Sequence, residues 1–397
     1  MPVDLRALPE KLSAPLPPSH KRWCLVVLLC ALITAGLVVL LWPENRWRMS
    51  LWFWCCAVVL PLMLGLVLYA FRLLAFERRV EFVDSWNQTR GEQEQLLITH
   101  GQRAIALLAT SYCSAAGNNQ IAQALRLGSK PLQPFYLEGQ ERTVRLSQLT
   151  PPAQLHTNNE YAARLAAYFD QVMRGIDAEL QCYAPDMPLR VRIRHNQVLG
   201  DEEVLSLWQS SIGDKHAIDQ VVFANQDDGL LWIDAWLDER APCQCLLSVE
   251  VNLFLNPIAE QAESVSAVLL ADSDWCVTKG IAPAAIVHRP VQINDQADAL
   301  KDAVLWGQLQ PDTGRYFTWQ SQMSPDVVCD ANIALTVAGY PPDSEKRQQL
   351  DDSFGLPGCA VANVALIVAS EGAEADRHAQ LIMFHDASSQ VCVVQPA

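Results

Sequence analysis

The stretch DDGLLWIDAWLDERAPCQCLLSVEV, Asp227–Val251, reads as a helix over Gly229–Asp238 and then a strand that runs on to Phe254. Asp227 and Asp228 stand immediately before that helix. A carboxylate there is a good N-cap, because the first-turn N–H groups lack partners and the helix dipole is positive at that end. Working outward, the same alternation continues in both directions. Upstream, Ala104–Thr110 is a short apolar strand, Asn119–Leu127 a short helix and Glu160–Leu180 a strongly amphipathic helix. Leu189–His195 (LRVRIRH) alternates apolar and charged residues with period two, which predicts a half-exposed strand ending in a surface histidine. Downstream, Ser266–Ala271 and Ala284–Val291 read as strands and Asn294–Trp306 as a helix, while Val361–Ser370 reads as a helix running into an apolar strand. Ala379–His385 and Gln390–Val394 close the chain as a hairpin around Asp386–Ser389. Alternating strands and helices predict an α/β sheet with helices on its faces. Two halves of similar element order are expected near 98–280 and 281–397.

The N-terminal part follows other rules. Trp23–Trp42 holds no charged residue and, at about 1.5 Å rise per residue, is long enough for a hydrocarbon core of roughly 30 Å. A second apolar run covers Leu51–Phe71 and carries Pro61 and Gly65, which membrane helices tolerate. Trp23, Trp42, Trp52, Trp54 and Tyr69 lie near the ends of these runs, as interfacial aromatics do. The organisation expected is a flexible tail over 1–22, a transmembrane helical hairpin over 23–71 that contacts the lipid bilayer, a connecting helix over 72–97 and an α/β domain over 98–397. A cleavable signal peptide is the rival reading of the first run, but no small-residue cleavage site follows it. Arg6, Lys11, Lys21, Arg22, Arg72, Arg78 and Arg79 flank the runs, against Arg46 and Arg48 between them, so both termini and the α/β domain are expected on the cytoplasmic side of a bacterial inner membrane.

Charge is divided unevenly. Residues 1–79 hold nine Lys/Arg and four Asp/Glu, and the remainder holds 20 and 40, a net of −20. Such a domain is repelled by phosphate backbones, so nucleic acid is not an expected partner. Eight cysteines lie beyond the apolar runs, most in strand-like stretches, which suits buried thiols in a reducing compartment. Cys243 and Cys245 fall on one strand face without a second Cys/His pair to complete a metal site, and no metal is expected. His385-Asp386 reads as turn chemistry. There is no dinucleotide fingerprint, zinc-protease motif or G-x-S-x-G elbow, and no cofactor is expected.

An ordered set of segments carries a family resemblance. IALLATSYCSAAGNNQIAQALRLGSKPL (Ile105–Leu132), with Leu125, Gly128 and Ser129 in similar places, resembles the opening of a β-ketoacyl synthase. Asp227–Val251 resembles the nucleophile helix and following strand of that fold, Glu263–Pro290 the hairpin that joins its halves, and Leu350–Ser370 its late loop and helix. The resemblance implies a thiolase-like two-half α/β fold over about 98–397. It also implies three catalytic groups that this chain lacks at the matching positions. Around Gln226, Asp227 and Asp228 there is no cysteine, and Val327–Asn332 and Phe354–Ala360 contain no histidine. The positions instead offer Asp227, Asp228, Cys329 and Cys359 as the candidates for a degenerate site, with no catalytic residue assigned. Without a thiolate at a helix N-terminus and groups to stabilise an oxyanion, the synthase reaction has no nucleophile.

The overall layout, with the pattern from Trp86 to Arg103 (W-N-x-x-R-x-E-Q-x-x-L-x-x-x-x-G-Q-R), also resembles membrane-anchored proteins associated with bacterial type VI secretion. Three functions follow as expectations: a membrane-anchored, non-catalytic adaptor or scaffold with a protein partner; an acyltransferase or condensing enzyme using a displaced cysteine; and a structural membrane subunit.

Overall fold

Apolar residues all round a helix mark one that is not meant for water. In α1 (His20–Leu41), Leu25 is 67% exposed and Leu40 83% exposed. The next apolar run forms α2 (Leu51–Trp54), a π-helical turn at Cys55–Val59, and α3 (Leu60–Gly101). Pro61 cannot donate to the carbonyl four residues back, that of Ala57, and the wider π turn lies at that place. The two apolar helices run antiparallel. His20 Nδ1 lies 2.6 Å from the Tyr69 hydroxyl, and the Trp42 and Phe53 rings meet edge-on at 5.0 Å. Between these contacts a Cβ on Gly65 would come within 2.8 Å of a Val27 methyl, so the close approach there requires glycine. His20–Leu41 and Leu51–Gly101 are long and apolar enough to cross a membrane; so is Gly358–Asp376, but that helix is largely buried.

The structure, a computed structural model, describes residues 3–43, 50–137, 141–151, 157–183, 189–212, 216–239, 245–293, 297–311 and 316–397. Arg46, Arg48 and Cys243, used in the sequence reading, lie outside the described residues. The chain divides into two compact units, Val3–Leu97 and Ile98–Ala397. Within the first, the tail expected to be flexible is held against α3. The Leu12 N–H donates to Asn87 Oδ1 (2.9 Å), the Asn87 amide returns a bond to the Leu12 carbonyl (3.0 Å), and Arg90 donates to the Pro9 carbonyl (2.8 Å).

The second unit runs β1 (Ala104–Ser114), α4 (Ile121–Arg126), β2 (Gln133–Leu137), β3 (Arg142–Leu146), α5 (Asn158–Tyr183), β4 (Leu189–His195), α6 (Asp201–Ile212), β5 (Ile218–Phe223), α7 (Leu231–Asp238), β6 (Cys245–Asn252), β7 (Ser264–Asp272) and α8 (Ser273–Lys279). It continues with β8 (Ala285–His288), β9 (Val291–Gln292), α9 (Ala297–Trp306), β10 (Tyr316–Ser321), α10 (Pro325–Val337), β11 (Arg347–Gln349), α11 (Val361–Asp376), β12 (Ala379–His385) and β13 (Ser389–Pro396). One 11-stranded sheet has the order β11-β10-β12-β13-β8-β1-β7-β6-β4-β5, with β9 beside β13; β2 and β3 form a separate hairpin.

The two halves obey one rule. In the first, β1, β4, β5, β6 and β7 lie in the order third-second-fourth-fifth-first, and only the fifth is antiparallel to its neighbours. In the second, β8, β10, β11, β12 and β13 repeat that order and those directions. Antiparallel pairing of Ala104–Leu107 with Ala285–His288 joins them. Helices α7 and α11 occupy matching places, each following the third strand of its half, and share one core with α4. A second core lies where α5 and α6 cover the first half.

Two elements depart from the sequence reading. Leu189–His195 is buried along almost its whole length, because α5 and α6 cover one face of the sheet there and α7 and the β12–β13 turn the other; Arg192, Arg194 and His195 are inside rather than on a solvated face. His195 is fixed there by Asp201 (2.8 Å). Val361–Ser370 is helical throughout and continues to Asp376, since a helix buried on all sides carries the same uninterrupted apolar run as a buried strand.

Candidate functional site

Successive strand residues point to opposite faces, so Arg192 and Arg194 of β4 share one face, as Ser248 and Glu250 of β6 do. Parallel pairing sets Arg192 opposite Ser248 and Arg194 opposite Glu250. Four polar side chains thus meet inside the sheet, where unpaired charge is expensive. The pairing is extensive. Arg192 reaches Glu250 (3.1 Å), the Ser248 hydroxyl (3.3 Å) and Asp227 (3.1 Å), and its guanidinium lies 4.8 Å from the Trp232 ring centre. Asn363, in the first turn of α11, donates its N–H to Glu250 (2.8 Å), accepts from Ser248 Oγ (3.0 Å) and gives its amide to the Ser248 carbonyl (3.0 Å). Burial pushes the Glu250 carboxyl up, opposed by Arg192, Arg194 and that N–H.

Arg194 donates both Nη groups to Asp386, at 2.6 and 3.1 Å. Asp386 also accepts the Gly229 N–H (2.7 Å), and Gln390 Oε1 accepts the Leu230 N–H (2.9 Å). In return Asp228 holds the turn between β12 and β13, accepting from the Ala387 N–H (3.2 Å), the Ser388 N–H (3.1 Å), the Gln390 amide (2.7 Å) and the Ser388 hydroxyl. Gly229 has φ +48, and a Cβ there would lie 2.6 Å from the Gln390 amide oxygen. The approach to α7 is therefore clasped to the last hairpin by reciprocal carboxylate bonds.

These bonds settle the expected cap. Neither Asp227 nor Asp228 caps α7; Asp227 turns to Arg192 and Asp228 to the hairpin. The Leu231 N–H bonds the Asp228 carbonyl (3.1 Å), and the preceding donors are closed by side chains from the other half. Cys359 lies beside this network, its thiol directed to the Val251 carbonyl (3.1 Å). Burial pushes that thiol up to about 12, helped by Glu250 and opposed by Arg194, so at neutral pH it is a thiol and not a thiolate. Cys329 is exposed on α10. His288, on β8, is buried and held down to about 4, so it is neutral, and His378 is exposed. Among the described residues the Cys359 thiol meets the Val251 carbonyl and the Asn252 side chain (3.8 Å) rather than a histidine ring.

A cleft of about 510 Å³ opens on the other side of Asp386 and is lined by Gln322, Ser324, Asp351, Leu356 and His385 as well. Asp351 accepts from the Ser321 hydroxyl and the Gln322 N–H, both at 2.8 Å, and burial raises its carboxyl. His385 lies 3.0 Å from the Ser389 hydroxyl. Four groups central to this site, Arg192, Arg194, Glu250 and Asn363, were not singled out from sequence, and Asp386 was read as a turn residue. Their signals are a lone carboxylate in an apolar strand, a lone amide in an apolar helix and arginines spaced by two.

Buried thiol, clasped helix start and two equivalent halves can be set beside known proteins. The chain matches no model of a protein family and no curated protein. Among solved structures it resembles a β-ketoacyl synthase from Burkholderia phymatum, with TM-score 0.52 and 9% identity, over 74% of this chain and 100% of that one. It resembles a type II polyketide ketosynthase in complex with its acyl-carrier protein at TM-score 0.52 and 11% identity, over 74% and 100%. A third is the ketosynthase of module 1 of the bacillaene synthase from Bacillus amyloliquefaciens, at TM-score 0.50 and 9% identity, over 75% and 77%. The likeness is one of fold, and the fold of Ile98–Ala397 is the mixed α/β, thiolase-like fold of the ketosynthases.

Proposed function

We propose that this chain is a membrane-anchored adaptor or scaffold that uses a ketosynthase-type fold without the condensing reaction. The observation that carries the reading is the closed start of α7. Gly229 and Leu230 stand there, their N–H groups are taken by Asp386 and Gln390, and the nearby Cys359 is held as a neutral thiol. A condensing reaction needs a thiolate and free donors for the oxyanion, and the taken donors at this helix start and the neutral thiol of Cys359 support the reading without it. The helices His20–Leu41 and Leu51–Gly101 supply the anchor, with residues 23–71 in the bilayer of a bacterial inner membrane and the acidic unit in the cytoplasm. The partner is a protein. One solved relative in fold is bound to an acyl-carrier protein, which supports protein recognition by this architecture. The association with type VI secretion rests on the Trp86–Arg103 pattern. The sequence alternatives, a displaced-cysteine acyltransferase and a purely structural subunit, become outcomes of the tests.

Two measurements on the full chain in its membrane decide between them. An acyl-chain chloroacetamide should label no single cysteine stoichiometrically; complete labelling of Cys359 or Cys329 that abolishes an acyl transfer measured before labelling would establish the enzyme. A photo-crosslinking amino acid placed at Ser324 or His385 should capture one discrete protein in cells. Capture only from positions within 23–71 would assign the partner to the hairpin and leave the α/β unit without the proposed role.

A further inference from the structure

We infer that α7 is a strut that ties the point where the chain enters the α/β unit to the clasped site. The strut acts on the site named in the proposed function, but its test reads structure alone and stands whether or not that site binds a protein. The chain enters through Ile98–Arg103, the last turn of α3 and the residues after it. Three of those residues are bonded to the unit's centre. His100 Nε2 lies 2.9 Å from Asp238 Oδ1, Gln102 donates to the Leu305 carbonyl (3.1 Å), and Arg103 donates to the Leu237 carbonyl (2.7 Å). Gly101 packs so closely that a Cβ would fall 2.3 Å from the Trp306 ring.

Asp238 and Leu237 are the last residues of α7. The same end is gripped by Arg289, whose side chain is fully buried and binds Asp234 and both oxygens of Asp238. The opposite end of α7 is the clasp, where Gly229 and Leu230 give their N–H groups to Asp386 and Gln390. An eight-residue helix is about 12 Å long and, with its backbone bonds internal, shifts as one body more readily than it stretches. Ile233, Trp236 and Leu237 key it into the shared core, so a shift at its C-terminal end is delivered to its N-terminal end rather than absorbed along the way. A displacement of the incoming chain therefore reaches the β12–β13 turn and the rim of the cleft through Asp386, which belongs to both clasp and cleft.

The test is hydrogen exchange on the full chain in lipid nanodiscs. His100→Ala combined with Arg103→Ala removes two bonds at the C-terminal end of α7. The expected result is exchange faster by about fivefold or more at Gly229 and Leu230, with β5 unchanged. Linkage makes the coupling reciprocal, so Gln390→Ala should speed exchange at Gln102 and Arg103. This second variant also serves if the first does not fold. Acceleration confined to residues next to each substitution would overturn the strut.

Discussion

Glu250 has no exposed atoms to speak of, yet it is the residue on which the interior charges balance. It pairs with Arg192, and its field also reaches Arg194. Removing one partner of a buried ion pair is worse than never having had the pair, because the remaining charge stays desolvated. Glu250→Ala should lower stability by about 3–5 kcal/mol, and Glu250→Gln by less, because the amide still accepts the Asn363 N–H. Unfolding of the full chain in detergent, followed by near-ultraviolet dichroism, measures the difference; a Glu250→Gln variant as stable as the parent chain would remove the charge from the argument. Cys359 gives a pH prediction. Its folded value lies above its ordinary value of 9, so the neutral thiol is the form the fold favours. Its contribution to stability is complete below pH 9 and is lost as pH rises from 9 towards about 12. Alkylation at pH 8 should accordingly be much faster at the exposed Cys329 than at Cys359. A Cys359 rate matching that of Cys329 would mean a thiolate the geometry does not allow.

Whole elements show why some of this was legible and some was not. The strand–helix alternation, the closing hairpin and the two-half order are written in apolar periodicity, which local sequence carries directly. The strand LRVRIRH misled because period two records which residues share a face, not whether that face meets water. Burial there is decided by α5 and α6 on one face and by α7 and the β12–β13 turn on the other, elements set beside the strand only by the fold. The candidate site was legible in the sequence only as a neighbourhood. Asp228 meets the other half at the turn Ala387–Ser388 and Asp227 meets Arg192 within its own half, and both partners are fixed by tertiary contact that no spacing rule contains. The clasp itself is testable as an element. Asp386→Asn keeps the shape but takes the charge from Arg194 and the Gly229 N–H, and should cost about 1–3 kcal/mol. Gly229→Ala adds strain at a positive φ and drives a methyl into Gln390, so it should destabilise by at least about 1 kcal/mol. If Gly229→Ala proves neutral in a melting experiment, the close approach of the hairpin to the start of α7 is wrong.

At the scale of the whole molecule, the hydrogen bonds between the N-terminal tail and α3 constrain topology more firmly than counting basic residues does. Leu12 is bonded to Asn87, and Pro9 to Arg90, so residues 9–12 and 87–90 lie on one side of any membrane the chain crosses. Between them stand two apolar helices packed antiparallel, which is the even number of crossings that arrangement demands. Among the described residues beyond Leu97, the one helix of sufficient length and apolarity is Gly358–Asp376, and it is largely buried. In the proposed reading that shared side is the cytoplasm, because Arg6, Lys11, Lys21, Arg22, Arg72, Arg78 and Arg79 outnumber Arg46 and Arg48. An alkaline phosphatase fused after Ala397, active only outside the cytoplasm, should be inactive, and the same enzyme inserted between Trp42 and Ser50 should be active. Introducing Leu32→Arg with Val59→Arg should cost about 2.5–3.5 kcal/mol per mid-span charge and empty the membrane fraction. Activity from the fusion after Ala397 but not from the insertion would invert the protein, place the acidic unit outside the cytoplasm, and move the search for its partner to the other face of the membrane.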